Sequence, residues 1–352
     1  MKIGFDAKRY FNNNSGLGNY ARWLVDGLAR RQKFDYHLYQ PKEVSQKVDL
    51  PLHHPKGIAK ATPSMWRSKF VCSRLENDKI DIFHGLSNEI PFGIHKTNTK
   101  TVVTIHDLIN KRYPENYGAI DRIVYNKKLY YAQKHAAKII TPSEQTKEDI
   151  ITFYGTSANK IAVIPLSLQV NNFASDTSNI HGDYMLCVSS FNRRKNLPRL
   201  VKAYTTLENC TTKLIIAGHS GDSFKEVQNL ASGNPNIILM QNIKADELSS
   251  LYKSALFCIY PSIFEGFGIP ILEAFSHGKT VATSNISSMP EVGGDAATYF
   301  DPTEIASISL ALKSLLEPMN RSKLEHKIAE RLAIFKTPRL LEQYEELYTS
   351  LF

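Results

Sequence analysis

Cysteine is scarce in this sequence, and the four present (Cys72, Cys187, Cys210 and Cys258) stand far apart. They form no C-x-x-C pair, which argues against a clustered zinc or thioredoxin-type site and points to a reducing compartment. No apolar run approaches the ~20 residues of a membrane-crossing helix. The opening, MKIGFDAKRY, has no apolar h-region of a secretory signal, so a cytoplasmic protein is expected. Zinc-finger spacing, an RNA-recognition aromatic motif and a basic low-complexity arm are missing too, so no nucleic-acid partner is expected.

What remains is an ordinary globular composition. Of 352 residues, 42% are hydrophobic and 22% charged, enough for two domains of usual size. The net charge of +9 is unevenly placed. Residues 1–170 carry 26 Lys and Arg against 15 Asp and Glu, whereas residues 171–352 carry 17 against 19. Such asymmetry suggests halves that meet different partners; a merely solvated basic surface is the plain alternative.

Apolar runs and helical spacing alternate along the chain. KIGFDA (2–7), YHLYQ (36–40), DIFHG (81–85), TVVTIHD (101–107), KIITPS (138–143) and KIAVIPLS (160–167) read as strands. Helices are expected at 18–31, 117–136 and 144–154. Residues 41–64, with four prolines, read as an irregular insertion, and the polar stretch 171–182 as a linker. The pattern then restarts with YMLCVSS (184–190), KLIIAG (213–218), NIILMQN (236–242), ALFCIYPS (255–262) and TVATSN (280–285), before helical segments from about 303 to 351. This alternation predicts an α/β protein of two doubly wound, Rossmann-like domains facing a cleft. The expected division is 1–170, 183–335, and a terminal helix over 336–352 that crosses back to the first domain. Ligands should bind at the carboxyl ends of the strands.

Two stretches carry chemistry. SGLGNYA (15–21) fits G-x-G-x-x-A through Gly16, Gly18 and Ala21, a dinucleotide-loop spacing. However, eight residues separate the first strand from Gly16, and Gln40 stands where a ribose-binding acid belongs. A glycine-rich turn before a helix, or a helix start approaching a sugar or phosphate, both remain open. The second stretch, IFEGFGIPILEAFSHGKTV (263–281), places Glu265 and Glu273 seven residues apart in E-x7-E fashion, with Gly266 and Gly268 after the first. Pro270 suits a first helical turn. A helix starting near Gly268 would aim the N–H groups of Phe267, Gly268 and Ile269 at an anion such as a diphosphate. Glu273 would reach a ribose hydroxyl, unless it is simply solvated.

The E-x7-E stretch resembles the signature of retaining GT-B glycosyltransferases of family 4. SSFNRRKNLPRLVKAY (189–204) is similar to that family's R-K-N segment, TVVTIHDL (101–108) to its strand ending in His-Asp, and TPSEQTKEDI (141–150) to the segment before its next helix. SSMPEVGGDAATYFDP (287–302) resembles its P-E-V-x-G-x-A-A stretch, and SGLGNYA its glycine loop. Arg193 stands where many relatives carry Pro, and Ser189 where Gly is common.

The resemblance implies a nucleotide-diphosphate sugar donor, held mainly by the second domain, and no further cofactor. Metal-dependent transferases often use D-x-D, which this sequence lacks. Arg194 and Lys195 would then stabilise the leaving diphosphate, with the helix start near Gly268 adding fixed dipoles. By the same resemblance, Glu265 would hold donor-sugar hydroxyls and Glu273 the ribose. His106 would donate to a sugar hydroxyl or phosphate, with Asp107 orienting it or its loop. Gly16 and Gly18 would let their loop approach the donor phosphate or the acceptor. The implied reaction moves a hexose with retention to a glycan or lipid-linked acceptor in cell-envelope polysaccharide synthesis. GDP-mannose is favoured slightly over UDP-sugars. The basic residues around 117–136 suggest contact with an anionic membrane; a helix packing its apolar face on the sheet is the alternative. A sugar-nucleotide epimerase, a phosphorylase or a non-enzymatic nucleotide-binding module would also fit the fold, although Arg194, Lys195 and Glu265 together argue for a transferase.

Overall fold

The computed structural model describes residues 1–13, 15–168 and 182–352. The expected linker at 171–182 lies outside these, except for Gly182. The chain divides into one unit of Met1–Gln169 with Thr337–Phe352, and a second of Val170–Lys336.

The first unit is built on seven strands: β1 (Lys2–Asp6), β2 (Asp35–Tyr39), β3 (Leu52–His53), β4 (Ile82–Gly85), β5 (Lys100–Thr104), β6 (Lys138–Thr141) and β7 (Ile161–Val163). They pair in parallel in the order β3-β2-β1-β4-β5-β6-β7. Because side chains alternate along a strand, each sheet face receives its own core. Ile3, Phe5, Ile82 and Val102 face one cluster, with Leu24 and Leu28 of the helix Gly16–Arg31 and Leu340, Tyr344 and Tyr348 of the terminal helix Thr337–Thr349. Phe83 and Val103 face the other, with Leu75, Leu129, Ala132 and Ile150. The strand expected over 101–107 stops at Thr104, although Ile105 N–H still reaches Ile140 O at 3.0 Å or less, at 2.9 Å. Between β1 and Gly16, five residues form a short helix, Lys8–Asn12.

The second unit has six strands: β8 (Tyr184–Val188), β9 (Lys213–Gly218), β10 (Ile237–Gln241), β11 (Phe257–Tyr260), β12 (Val281–Ser284) and β13 (Ala297–Phe300). All pair in parallel, in the order β10-β9-β8-β11-β12-β13. Strand β13 was not among the expected strands. In both sheets the chain first builds outward in one direction and then restarts on the other side of its first strand. This leaves a switch point between β1 and β4, and another between β8 and β11, where doubly wound sheets bind their ligands.

Candidate active site

The loops after β8 and β11 meet at the second switch point. After β8, a 3-10 turn carries Arg193–Lys195 and ends on Asn196, whose left-handed φ of 61° turns the chain into the helix Leu197–Thr205. Asn196 fixes this turn by donating from Nδ2 to Pro261 O (3.2 Å) and Pro302 O (2.8 Å). After β11, Ile263 N–H donates to Arg194 O at 2.9 Å, which ties the two loops together.

Their side chains converge on one oxygen. Glu265 Oε1 lies 2.5 Å from Arg194 Nη1 and 2.6 Å from Lys195 Nζ, and it accepts from Ser262 Oγ. Lys195 Nζ also donates to Tyr260 OH at 2.8 Å and lies over that ring. Burial pushes the Glu265 carboxyl up, but Lys195 and Arg194 outweigh it and hold it at about 2. Burial lowers the Lys195 ammonium, and Glu265 opposes that shift. Glu265 is therefore an anion held between two basic side chains. Its backbone is pinned as well: Ser287 Oγ accepts from Glu265 N–H at 3.1 Å, and Ser288 Oγ donates to Glu265 O at 2.9 Å.

Gly268 caps the helix Ile269–Ser276 at φ 123°, a backbone state that disfavours any side chain. Among the described residues, the N–H groups of Phe267, Gly268 and Ile269 meet no acceptor, so three donors stand open at this helix start. Gly266 lies between those donors and Glu265. Glu273 lies within the same helix, and its Oε2 accepts from Tyr252 OH at 2.8 Å. Burial raises its carboxyl. The two glutamates of E-x7-E thus sit in opposite environments. Tyr260, Ser262, Ser287 and Ser288 went unnoticed in the sequence. Short hydroxyl residues next to strand ends look like ordinary loop chemistry, and only the fold gathers them around Glu265.

The remaining expected site residues belong to the first unit. His106 is 7% exposed and follows β5. Its N–H donates to Asn88 Oδ1 at 2.9 Å, and its Nε2 donates to Leu86 O at 2.9 Å. Tyr20 packs edge-on against the ring, 4.7 Å between centroids. Burial lowers the imidazole to about 4. A neutral ring with Nε2–H committed to Leu86 keeps Nδ1 as an acceptor. The donor role expected for His106 would require Nε2 to release Leu86 O, since Nδ1 carries no proton in this tautomer. Asp107 Oδ1 accepts from Ile109 N–H at 3.1 Å, which orders the loop. Gly18 has a local reason to be glycine, since a Cβ there would lie 1.8 Å from Asn13 O. At Gly16 a Cβ would meet nothing within 4 Å. No cluster of metal-ligand type occurs among the described residues.

Two basic side chains, a buried carboxylate and a helix start with open N–H groups thus stand together at a switch point, where doubly wound folds take their ligands. The comparisons narrow that class. The family model Glycosyltransferase Family 4 matches residues 14–169, and Glycosyl transferases group 1 matches residues 171–332. The chain is 29% identical over 351 residues to O-antigen chain mannosyltransferase B of Escherichia coli, covering 90% of this chain and 91% of that one. It is 26% identical over 216 residues to the O-antigen chain mannosyltransferase RfbU of Salmonella typhimurium, covering 60% of each. A sucrose-phosphate synthase structure from Thermosynechococcus elongatus shares the fold with a TM-score of 0.79 at 18% identity, covering 100% of this chain and 99% of that one. The chain belongs to the group 1 glycosyltransferases of family 4, and its fold is GT-B.

Proposed function

We propose that this glycosyltransferase moves mannose, with retention of configuration and without a metal ion, from GDP-mannose to a glycan or lipid-linked acceptor in envelope polysaccharide synthesis. The observation that carries the reading is the pairing of Arg194 and Lys195 with Glu265 beside the unpartnered N–H groups at the start of the helix Ile269–Ser276. The names of the Escherichia coli and Salmonella relatives favour mannose and an envelope glycan.

When the sugar–phosphate bond breaks, charge grows on the departing diphosphate. Arg194, Lys195 and the helix start are fixed positive groups that meet it without reorganising, each worth about 3 kcal/mol by analogy with a single oxyanion donor. Glu265 is kept ionised, so it can only accept; its Oε2, which takes none of the three contacts described, would receive sugar hydroxyls. Glu273, in the same helix, would receive a ribose hydroxyl. A same-face displacement balances the protons: the acceptor oxygen bonds to the anomeric carbon as the phosphate oxygen leaves and takes the acceptor proton. The acceptor would be met at the cytoplasmic face of the membrane. Among the described residues no helix is long and apolar enough to cross it, so that contact would be peripheral.

Donor hydrolysis tests the reading without knowledge of the acceptor. GDP-mannose should be cleaved slowly with EDTA present. GDP should raise the melting temperature more than UDP or ADP, by mass action. Glu265→Gln should reduce turnover at least a hundredfold, whereas Glu273→Gln should mainly weaken nucleotide binding. Loss of turnover on chelation, restored by magnesium, would sink the metal-free account; stronger stabilisation by UDP would move the donor to a UDP-sugar.

A further inference from the structure

The switch point of the first sheet, between β1 and β4, holds a second charged cluster that the donor-site reading leaves unused. Arg67 grips Asp6 at the end of β1 through Nε at 2.9 and 3.0 Å, and reaches Glu89 Oε1 at 2.5 Å. Lys128 reaches the other oxygen of Glu89 at 2.8 Å. Burial pushes the Glu89 carboxyl up, but Arg67 and Lys128 hold it at about 2. These four charges cancel. Asp6, Arg67 and Glu89 together with Ser68 and Phe92 line a small depression.

Lys8 and Arg9 follow at once after β1 and add two positive charges. Among the described residues neither side chain has an ion-pair or hydrogen-bond partner, because Asp6 and Glu89 are already taken. Arg9 Nε is out of solvent with no acceptor. A guanidinium N–H in that state is an unmet donor, and native proteins carry few of them. Burial and then the Arg67 charge lower the Lys8 ammonium, so the cations repel one another across the cluster. Arg9 is also close enough to depress the His106 imidazole. The surplus is thus two positive charges at the carboxyl end of a doubly wound sheet.

We infer that Lys8 and Arg9 form a subsite for a phosphate or diphosphate group. A doubly charged phosphate matches the surplus, whereas a carboxylate would meet half of it. Arg9 offers a planar fork that suits phosphate oxygens, and Lys8 a point charge. The identity of the molecule that carries the phosphate rests on the transferase reading. Two sources share this chemistry: the donor diphosphate and a phosphorylated acceptor.

The test uses the full chain and inorganic pyrophosphate, followed by calorimetric titration. Lys8→Met/Arg9→Met should lose one equivalent of bound pyrophosphate or bind it at least tenfold more weakly than wild type. Its melting temperature should equal or exceed that of wild type, because like charges have been removed. If the double variant melts lower, Arg9→Gln alone carries the same test. Titration with GDP and UDP separates the sources. A matching loss of nucleotide affinity marks the donor diphosphate, and unchanged nucleotide affinity marks a phosphorylated acceptor. Pyrophosphate binding within twofold of wild type overturns the inference, as does a single equivalent that is lost in Arg194→Met but kept in the double variant. A failure of the transferase reading looks different: GDP and UDP would not bind the wild type, while the pyrophosphate result would stand.

Discussion

Gly16 and Gly18 lie two residues apart in the first turn of one helix, yet a methyl group would meet very different surroundings at each. At Gly18 it would run into the backbone of Asn13, whose side chain also accepts from Gly18 N–H at 3.1 Å. At Gly16 it would point into open space at the first position of a helix. Gly18→Ala should therefore cost about 1–3 kcal/mol, as overpacking does. Gly16→Ala should stay within about 0.5 kcal/mol of wild type. Thermal denaturation of the two variants side by side checks this, and equal melting temperatures would contradict the packing argument. The spacing of glycines is legible in a sequence; the reason for each is not. Glu265 and Glu273 teach the same point. The motif identified both, but the partners that hold one carboxyl low, and the burial that raises the other, come from residues scattered over the second unit.

At the scale of elements, the helix Ala119–His135 shows what apolar spacing left open. Leu129 and Ala132 are buried, whereas Ile120 is 78%, Ile123 67% and Val124 48% exposed. The buried pair packs on the sheet, as the alternative reading expects, and the exposed residues form a separate apolar face. Some basic residues on and near this helix are engaged: Arg112 pairs with Asp149 and Lys128 with Glu89. Lys127 and Lys134 remain exposed beside the apolar stripe. If this face rests on anionic lipid, each cation adds about 1 kcal/mol. The chain should then sediment with anionic vesicles at low salt and release toward physiological salt. Ile120→Ser/Ile123→Ser should weaken that binding, and equal binding to neutral vesicles would argue for a soluble acceptor. Most strands were legible because buried parallel strands read as short apolar runs. Strand β13 was not, since Ala297–Phe300 is four residues long and follows a glycine pair. The cluster of Asp6, Arg67 and Glu89 left no trace in any local stretch, because three separate segments supply it.

For the whole molecule, acid should act first through the core of the first unit. His84 donates or accepts between Tyr348 OH at 2.7 Å and Thr104 Oγ1 at 2.9 Å, and burial lowers it to about 3. With His106 lowered to about 4, two histidines are neutral when folded but titrate near 6.5 when unfolded. The unfolded chain then binds more protons, so stability is full above pH 6.5 and falls as pH drops below it. Each histidine contributes a slope of about 1.4 kcal/mol per pH unit between its two values. Urea midpoints from pH 7 to 5 should show that slope, and His84→Gln should make it shallower; a flat profile would contradict it. Glu89 and Glu265 add their own losses only lower, as pH falls through 4.5 toward 2. The same core also depends on the terminal helix, where Tyr344 OH lies 3.1 Å from Tyr20 OH and Glu345 pairs with Arg31 at 2.7 Å. That helix is encoded after the entire second unit. During translation the second unit can close its core as soon as it is synthesised. The first, begun earlier, must hold Tyr20, Leu24 and Leu28 without their final cover. Such unfinished apolar surface is where nascent chains aggregate or engage chaperones. The half of the chain made first is thus the half that matures last.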